Sequence, residues 1–271
     1  MNATQDRERN LELAQRLVKE AAAKGAALVA LPEHFGFMQA EGRRPPQPEP
    51  LRGPTFRFLS RLARELGIWI VGGSFSERIR GDKRVYNSCV VVDDAGRFVG
   101  SYRKIHLFDL ALPGQRSLFE SAYVKGGRRV VCLDGPVGKM GISICYDLRF
   151  PELYRRQRLM GAEVFVVPSA FTYATGKAHW ELLVRARAVE NACYVLAPAQ
   201  WGDHGRGRRS YGKAMIVDPW GQVLGAMGEE GDGVVVADVS AEHLARCRRK
   251  LDSTMHAKCL PAAWRRAGGA S

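Results

Sequence analysis

The sequence predicts an α/β domain in which one plan of elements is used twice. Three observations predict it. Short apolar, β-branched runs alternate with segments of helical periodicity. The order helix, strand, helix, strand, hairpin fits residues 9–104 and fits residues 151–226 again. The two hairpins also share a local pattern, VVVDDAGRFVG at 90–100 and MIVDPWGQVLG at 215–225. One domain is expected over residues 1–240, with a basic helix and tail over 241–271.

Residues 9–24 place Leu11, Leu13, Ala14, Leu17, Val18, Ala21 and Ala22 at helical spacing, and Gly25 supplies the stop. A buried strand at 27–31 ends in Pro32-Glu33. Five prolines and several charges make 40–54 a surface loop that borders a pocket. Residues 56–66 read as a helix, Gly67 as its end and 68–72 as a strand. Residues 85–92 and 98–104 pair as a hairpin around Asp93-Asp94-Ala95-Gly96, and the second strand delivers Lys104. Residues 110–127 hold Pro113, Gly114, Gly126 and Gly127 and little periodicity, so they form a long loop of the kind that carries function. Glu120 lies in it. A strand at 140–144 then ends at Cys145, and Pro151-Glu152 opens the following helix. A strand at 163–167, a helix at 179–191 and a strand at 193–197 follow. The second hairpin, 211–217 with 222–226, turns at Asp218-Pro219-Trp220-Gly221, and a last strand covers 233–239. The second half has a strand ahead of its first helix and the first half has none, because residues 1–7 are too polar. A first strand is therefore expected to be missing at the amino terminus.

A chain of 271 residues is long enough to bury one large core. Its six cysteines, Cys89, Cys132, Cys145, Cys193, Cys247 and Cys259, form no C-x-x-C pair and no regular framework. That usage points to a reducing, cytoplasmic setting and away from structural zinc. No apolar run has the length of a membrane span, and the start is polar rather than signal-like. The net charge of +13 raises the question of a nucleic-acid partner. The arginines are scattered, however, and the densest clusters, Arg206, Arg208, Arg209 and Arg246, Arg248, Arg249, lack the interleaved aromatics of a single-strand binding surface. Most of this charge reads as solvated surface, some of it as attraction for an anionic substrate. A basic binding module stays the most distant alternative.

Cys145 stands between a strand and a helix, where backbone N–H groups and the helix dipole favour the thiolate. The competing reading is a buried structural cysteine. Glu33 and Lys104 also stand at strand carboxyl ends, which is where open α/β sheets place their sites. Each alone is an ordinary loop acid or surface lysine.

The segments LPEHFGF (31–37), YRKIHLFD (102–109) and GISICYDLRFPELYR (141–155) change that weighting. In order and spacing they resemble the three catalytic blocks of the nitrilase, or carbon-nitrogen hydrolase, superfamily, and the similarity runs from about residue 2 to about residue 240. The resemblance implies a four-layer αββα sandwich with internal pseudo-two-fold symmetry, a strand ahead of the first helix, and homodimers joined through the outer helices. It places the family's catalytic glutamate on Glu33, its lysine on Lys104 and its cysteine on Cys145. In that chemistry Cys145 attacks an amide carbon, Glu33 takes the thiol proton, and Lys104 with the backbone N–H of Tyr146 holds the oxyanion. Ammonia leaves with a proton from Glu33, and water activated by the same carboxylate hydrolyses the thioester. Glu120 matches a second glutamate near the lysine and substrate. No cofactor and no metal are called for, and His179 and His204 lack ligand spacing with any other His, Cys or acid.

Residues 175–205 and 210–221 further resemble the deaminated-glutathione amidases, relatives of the ω-amidases that act on 2-oxoglutaramate. The implied substrate is a short carboxylated amide, with Arg149 and either Arg185 or Arg187 available to neutralise its carboxylates. Surface or interface pairing is the alternative for the two helix arginines. The competing activities are an ω-amidase and an N-carbamoyl amino acid amidohydrolase.

Overall fold

The computed structural model describes residues 1–38, 47–110, 118–205 and 207–256. Helix α1 (Arg7–Ala23) starts where the Asp6 carboxylate accepts the Arg9 N–H at 3.1 Å. Strand β1 (Leu28–Ala30) follows, then α2 (Pro54–Leu66), opened by a proline and closed by Gly67 in the left-handed region at φ +64°. Next come β2 (Trp69–Val71), β3 (Phe75–Arg78), β4 (Val85–Val92) and β5 (Phe98–Arg103). In this first sheet β1 runs parallel to β2. Strands β2 and β3 pair with successive parts of β4 on one side, and β5 pairs with β4 on the other. The two-residue period of β4 sorts its side chains by layer. Val90 and Val92 join the core beneath α1 and α2, whereas Cys89 and Val91 join the core shared with the second sheet.

A small ribbon of β6 (Asp109–Leu110) and β7 (Leu118–Phe119) leads into the second half. There follow β8 (Val131–Leu133), β9 (Met140–Ile142), α3 (Pro151–Leu159), β10 (Val164–Val166), α4 (Tyr173–Asn191) and β11 (Tyr194–Ala197). A second ribbon, β12 (Trp201–Asp203) with β13 (Arg209–Tyr211), precedes β14 (Met215–Val217), β15 (Val223–Ala226) and α5 (Ala241–Lys250). The second sheet has the order β8-β9-β10-β11-β14-β15. Its run β10-β11-β14-β15, two parallel strands and then an antiparallel hairpin, repeats the pairing of β1-β2-β4-β5, so the doubled plan is real. Leu153 and Tyr154 of α3 and Trp180 and Val184 of α4 are buried in the core that includes the second sheet. The architecture is the expected αββα sandwich.

Several elements differ from their sequence outlines. Helix α4 begins at Tyr173 rather than at 179, and Gly176 lies inside it as a contact glycine: a Cβ there would lie 2.3 Å from the Cβ of Tyr211. The strand before Cys145 stops at Ile142, and a 3₁₀ turn, Cys145–Arg149, intervenes before α3. The last expected strand, 233–239, forms no ladder; it runs past the space left by Gly225, where a Cβ would lie 2.7 Å from Val235. Strands β3 and β8 and the ribbons β6–β7 and β12–β13 were not foreseen. Of the expected loop at 110–127, residues 118–122 are a short strand and a 3₁₀ turn, while 111–117 lie outside the described residues, as do 40–46 of the proline-rich loop and the tail beyond 256. Helix α5 is docked, with Leu244 and Cys247 buried and the Arg248 guanidinium donating to the Ala192 and Ala162 carbonyls. At the other end, β1 has β2 as its one sheet neighbour among the described residues. No helix among the described residues is long and apolar enough to cross a membrane.

Candidate active site

Strands β1 and β5 point the same way in the first sheet, so the residues just past their ends, Glu33 and Lys104, share one rim. The turn holding Glu33 depends on a close approach. Gly73 has φ +53°, and a Cβ there would lie 2.2 Å from the Pro32 carbonyl oxygen. That corner brings Ser74 Oγ within 3.0 Å of the His34 N–H that it accepts. Gln200 Nε2 donates to the Glu33 carbonyl at 3.0 Å, and Asn87 Nδ2 donates to Glu33 Oε1 at 2.9 Å. Both backbone and side chain of the glutamate are thereby fixed.

Lys104 is buried, and its ammonium donates to Glu33 Oε1 at 3.1 Å and to both oxygens of Glu120 at 2.9 and 3.2 Å. Glu120 opens a 3₁₀ turn and is itself fixed by the Phe108 N–H at 2.7 Å. Cys145 arrives from the second sheet with φ +49°, a left-handed conformation that a non-glycine residue adopts only when its surroundings enforce it. Its N–H is held by the Pro168 carbonyl at 2.9 Å. The fully buried Asp147 secures the same turn. It accepts from the Ile144 N–H (2.9 Å), the His106 N–H (2.9 Å) and the Tyr102 hydroxyl (2.7 Å), and so ties the segment after Lys104 to the cysteine turn.

Glu33, Lys104, Cys145, Glu120, Tyr146 and Arg149, the six residues singled out in the sequence, line one cavity. Arg149 lies over Phe171 at 5.3 Å and over Tyr146 at 5.9 Å, with Nη1 3.3 Å from His179 Nδ1. Arg185 and Arg187 are elsewhere. Arg185 donates to the Gly221 carbonyl, and Arg187 is buried against Glu190, donating to the Leu148 carbonyl at 3.0 Å. Arg187 therefore buttresses the cysteine turn and does not reach the cavity, so the carboxylate role considered for these two falls away. His204 is locked between the Ala3 carbonyl and Ser210 Oγ. Among the described residues no group of three His, Cys, Asp or Glu side chains is arranged to hold a metal.

The charges follow from burial and proximity. Burial alone would raise the Glu33 carboxyl, but the Lys104 charge, His34 and hydrogen bonds from Cys145 and Lys104 outweigh it and hold it down at about 2. Burial would lower Lys104, but Glu120 and Glu33 keep it well above the ordinary lysine range. Burial and the Glu33 carboxylate push the Cys145 thiol well up, with Lys104 opposing. The resting site is carboxylate, ammonium and neutral thiol. Desolvation and the nearby carboxylate outweigh the helix-end position that favours the thiolate, and the thiol proton is there for Glu33 to take. His34 is pushed down to about 4 by burial against the pull of Glu33, so its ring is neutral at physiological pH.

Asn87, Gln200, Ser74 and Asp147 carried no sequence signal of their own. Asp147 and Tyr102 fall inside the recognised segments, but what they do emerges only when the segments meet.

The family model for carbon-nitrogen hydrolases matches residues 1–249. A deaminated glutathione amidase of Mus musculus is 43% identical over 264 residues, covering 94% of this chain and 80% of its own length. An omega-amidase of Xenopus tropicalis is 40% identical over 242 residues, covering 89% and 87%. Among solved structures, the C. elegans NitFhit protein superposes with a TM-score of 0.85 at 35% identity, over 95% of this chain and 63% of that longer one. With the fold, the three segments and the convergence of Glu33, Lys104 and Cys145 on one cavity, these similarities establish that the chain belongs to the carbon-nitrogen hydrolase family.

Proposed function

We propose that this protein is a cysteine amidase that hydrolyses the amide of a short oxo acid, with deaminated glutathione as its first substrate to test. The observation that carries the reading is the buried arrangement in which one ammonium bridges two carboxylates beside a neutral thiol. Attack requires the thiol proton to pass to Glu33 as the sulfur bonds to the amide carbon. The oxyanion that forms takes hydrogen bonds from Lys104 Nζ and the Tyr146 N–H, both preorganised in a water-poor site. Glu33 then returns its proton to the amide nitrogen, the C–N bond breaks, and a thioester remains. Water, deprotonated by Glu33, attacks the thioester and releases the acid and the thiol. Glu120 holds Lys104 between two carboxylates, so its ammonium stays charged and aimed. Arg149, on the same turn as Cys145, takes a carboxylate of the acyl portion in this reading.

The leaving group depends on the substrate. Both amides of glutathione are secondary, so cleavage of the deaminated γ-linkage releases 2-oxoglutarate and cysteinylglycine. A primary ω-amide such as 2-oxoglutaramate releases ammonia. The similarity to an omega-amidase supports that second substrate, whereas an N-carbamoyl amino acid would yield carbon dioxide as well. We further propose that the protein acts as a homodimer in the cytoplasm; the five described cysteines are all unpaired. Purified protein and Cys145→Ala, given the three substrates in parallel with products resolved by mass spectrometry, test the reading. The expected result is 2-oxoglutarate from deaminated glutathione with the wild type and none with the variant. A folded wild type that releases no product from any of the three would overturn it.

A further inference from the structure

We propose that Asn87 Oδ1 is the acceptor that holds the attacking water during hydrolysis of the thioester, which makes Asn87 a catalytic residue of the second half-reaction. This rests on the amidase reading and adds to it the group that aims the water.

Asn87 stands on β4, is buried, and lines the cavity together with Glu33, Lys104 and Cys145. Its backbone carbonyl accepts the Lys104 N–H at 2.9 Å, and its Nδ2 donates to Glu33 Oε1 at 2.9 Å. A carboxylate only accepts, so the nitrogen of the carboxamide faces Glu33 and the oxygen is the atom left over. That oxygen, Oδ1, is buried and has no hydrogen-bond partner among the described residues. A buried acceptor without a partner is uncommon and costly. In the wall of a reaction cavity it marks the place where a donor arrives with the reactants.

The count of protons identifies that donor. Glu33 Oε1 accepts from Asn87 and from Lys104 Nζ at 3.1 Å, which occupies both of its lone pairs and leaves Oε2 to exchange protons. Water that attacks the thioester carbon gives one proton to Oε2. Its second O–H keeps its hydrogen through the attack and needs an acceptor of its own in a water-poor site. Glu120 is already drawn to Lys104 and to the Phe108 N–H. Asn87 Oδ1 is uncommitted, and it belongs to the same planar group that touches the base. As the water oxygen bonds to the carbon and the C–S bond breaks, the sulfur takes the proton from Oε2. One hydrogen of the water thus ends on Cys145 and the other leaves with the acid.

The test sets water against a second nucleophile. Hydroxylamine competes for the thioester and, being the stronger nucleophile, depends less on a group that holds and aims it. With deaminated glutathione and a fixed hydroxylamine concentration, the ratio of hydroxamate to acid reports the second step whatever happens to the first. Asn87→Leu fills the same space without an acceptor and should shift the ratio towards hydroxamate by about tenfold, the value of one buried hydrogen bond. Asn87→Val, smaller and suited to a strand, should do the same and serves if Asn87→Leu does not fold. Asn87→Asp keeps an oxygen at Oδ1 whatever it does to the bond with Glu33. Its ratio should therefore stay within about threefold of wild type even where turnover falls. A wild-type ratio in Asn87→Leu and Asn87→Val, or an equal shift in Asn87→Asp, overturns the proposal, because the side chain would then act through Glu33 alone. Acid release by wild type that disappears in Cys145→Ala would in that case leave the amidase reading standing. A folded wild type that yields neither acid nor hydroxamate removes both.

Discussion

Cys145 rests as a neutral thiol, and the group that keeps it so is the one to which the proposed mechanism passes its proton. The Glu33 carboxylate raises the thiol, while Lys104 works in the opposite direction. Replacing Glu33 by Gln should therefore have opposite effects on two properties of the sulfur. Turnover should fall by about 10²–10⁴, the usual cost of losing a general acid–base. The thiol, freed from the carboxylate but still beside Lys104, should ionise at lower pH, so iodoacetamide should label Cys145 faster at pH near neutrality than in the wild type. Slower labelling in step with lost turnover would mean that Glu33 activates the resting sulfur, contrary to the charge state argued above. The same depression sets a pH window for stability. Glu33 titrates at about 2 in the folded protein against 4.5 ordinarily, so its contribution is complete above the ordinary value and is lost as pH falls towards 2.

At the level of elements, the sequence was legible wherever an apolar period ran unbroken, as in α1, α2, β4 and β11. It was less so where a contact decided the outcome. Helix α4 starts at Tyr173, ahead of the expected 179, and Gly176 is the place where it rests on Tyr211. The three segments that carry the family resemblance could be read because each is local, but Gln200 reaches Glu33 across 167 residues and Asn87 across 54, and no local pattern encodes such contacts. The segment 233–239 has strand composition without a ladder, and the edge of β1 that has no sheet neighbour among the described residues lies on the same groove, a cavity of about 350 Å³ lined by Leu28, Ala30, Val234 and Val236. Met1 lines it too, and burial pushes its amino group down to about 6. Unpaired strand edges against apolar walls are costly and prone to aggregation. We propose that one strand ahead of α1 completes this sheet. Fusing a segment of five or so alternating β-branched residues upstream of Met1 should raise the melting temperature by about 5 °C or more, the shift expected for one to two kcal/mol in a domain this large. Equal solubility and melting temperature with and without the segment would sink the idea.

At the level of the whole molecule, two copies each carrying +13 repel one another, so a homodimer needs an apolar contact to overcome that charge. The outward face of α4 offers one. Leu182 is 68% exposed and Val189, two turns on, is 51% exposed. The β14–β15 turn adds Trp220 at 53%, and Gly221 there faces Val189 so closely that a Cβ would lie 2.5 Å from its Cγ2. Isolated exposed apolar residues need no explanation, but a helix face continued by a hairpin tip is the form a symmetric contact takes. The inward face of the same helix carries Arg187, whose bond to the Leu148 carbonyl supports the cysteine turn, so a partner on the outward face would stiffen the site from behind. Light scattering should accordingly give the wild type twice the 30.0 kDa chain mass. The double variant Leu182→Glu, Val189→Glu should return to the single-chain mass and melt at lower temperature. Its dissociation should be more complete at low salt, where the repulsion between like-charged copies is least screened. A wild type that scatters as one chain, or a double variant that keeps the wild-type mass, would remove α4 from the interface and leave the exposed Leu182, Val189 and Trp220 without a role.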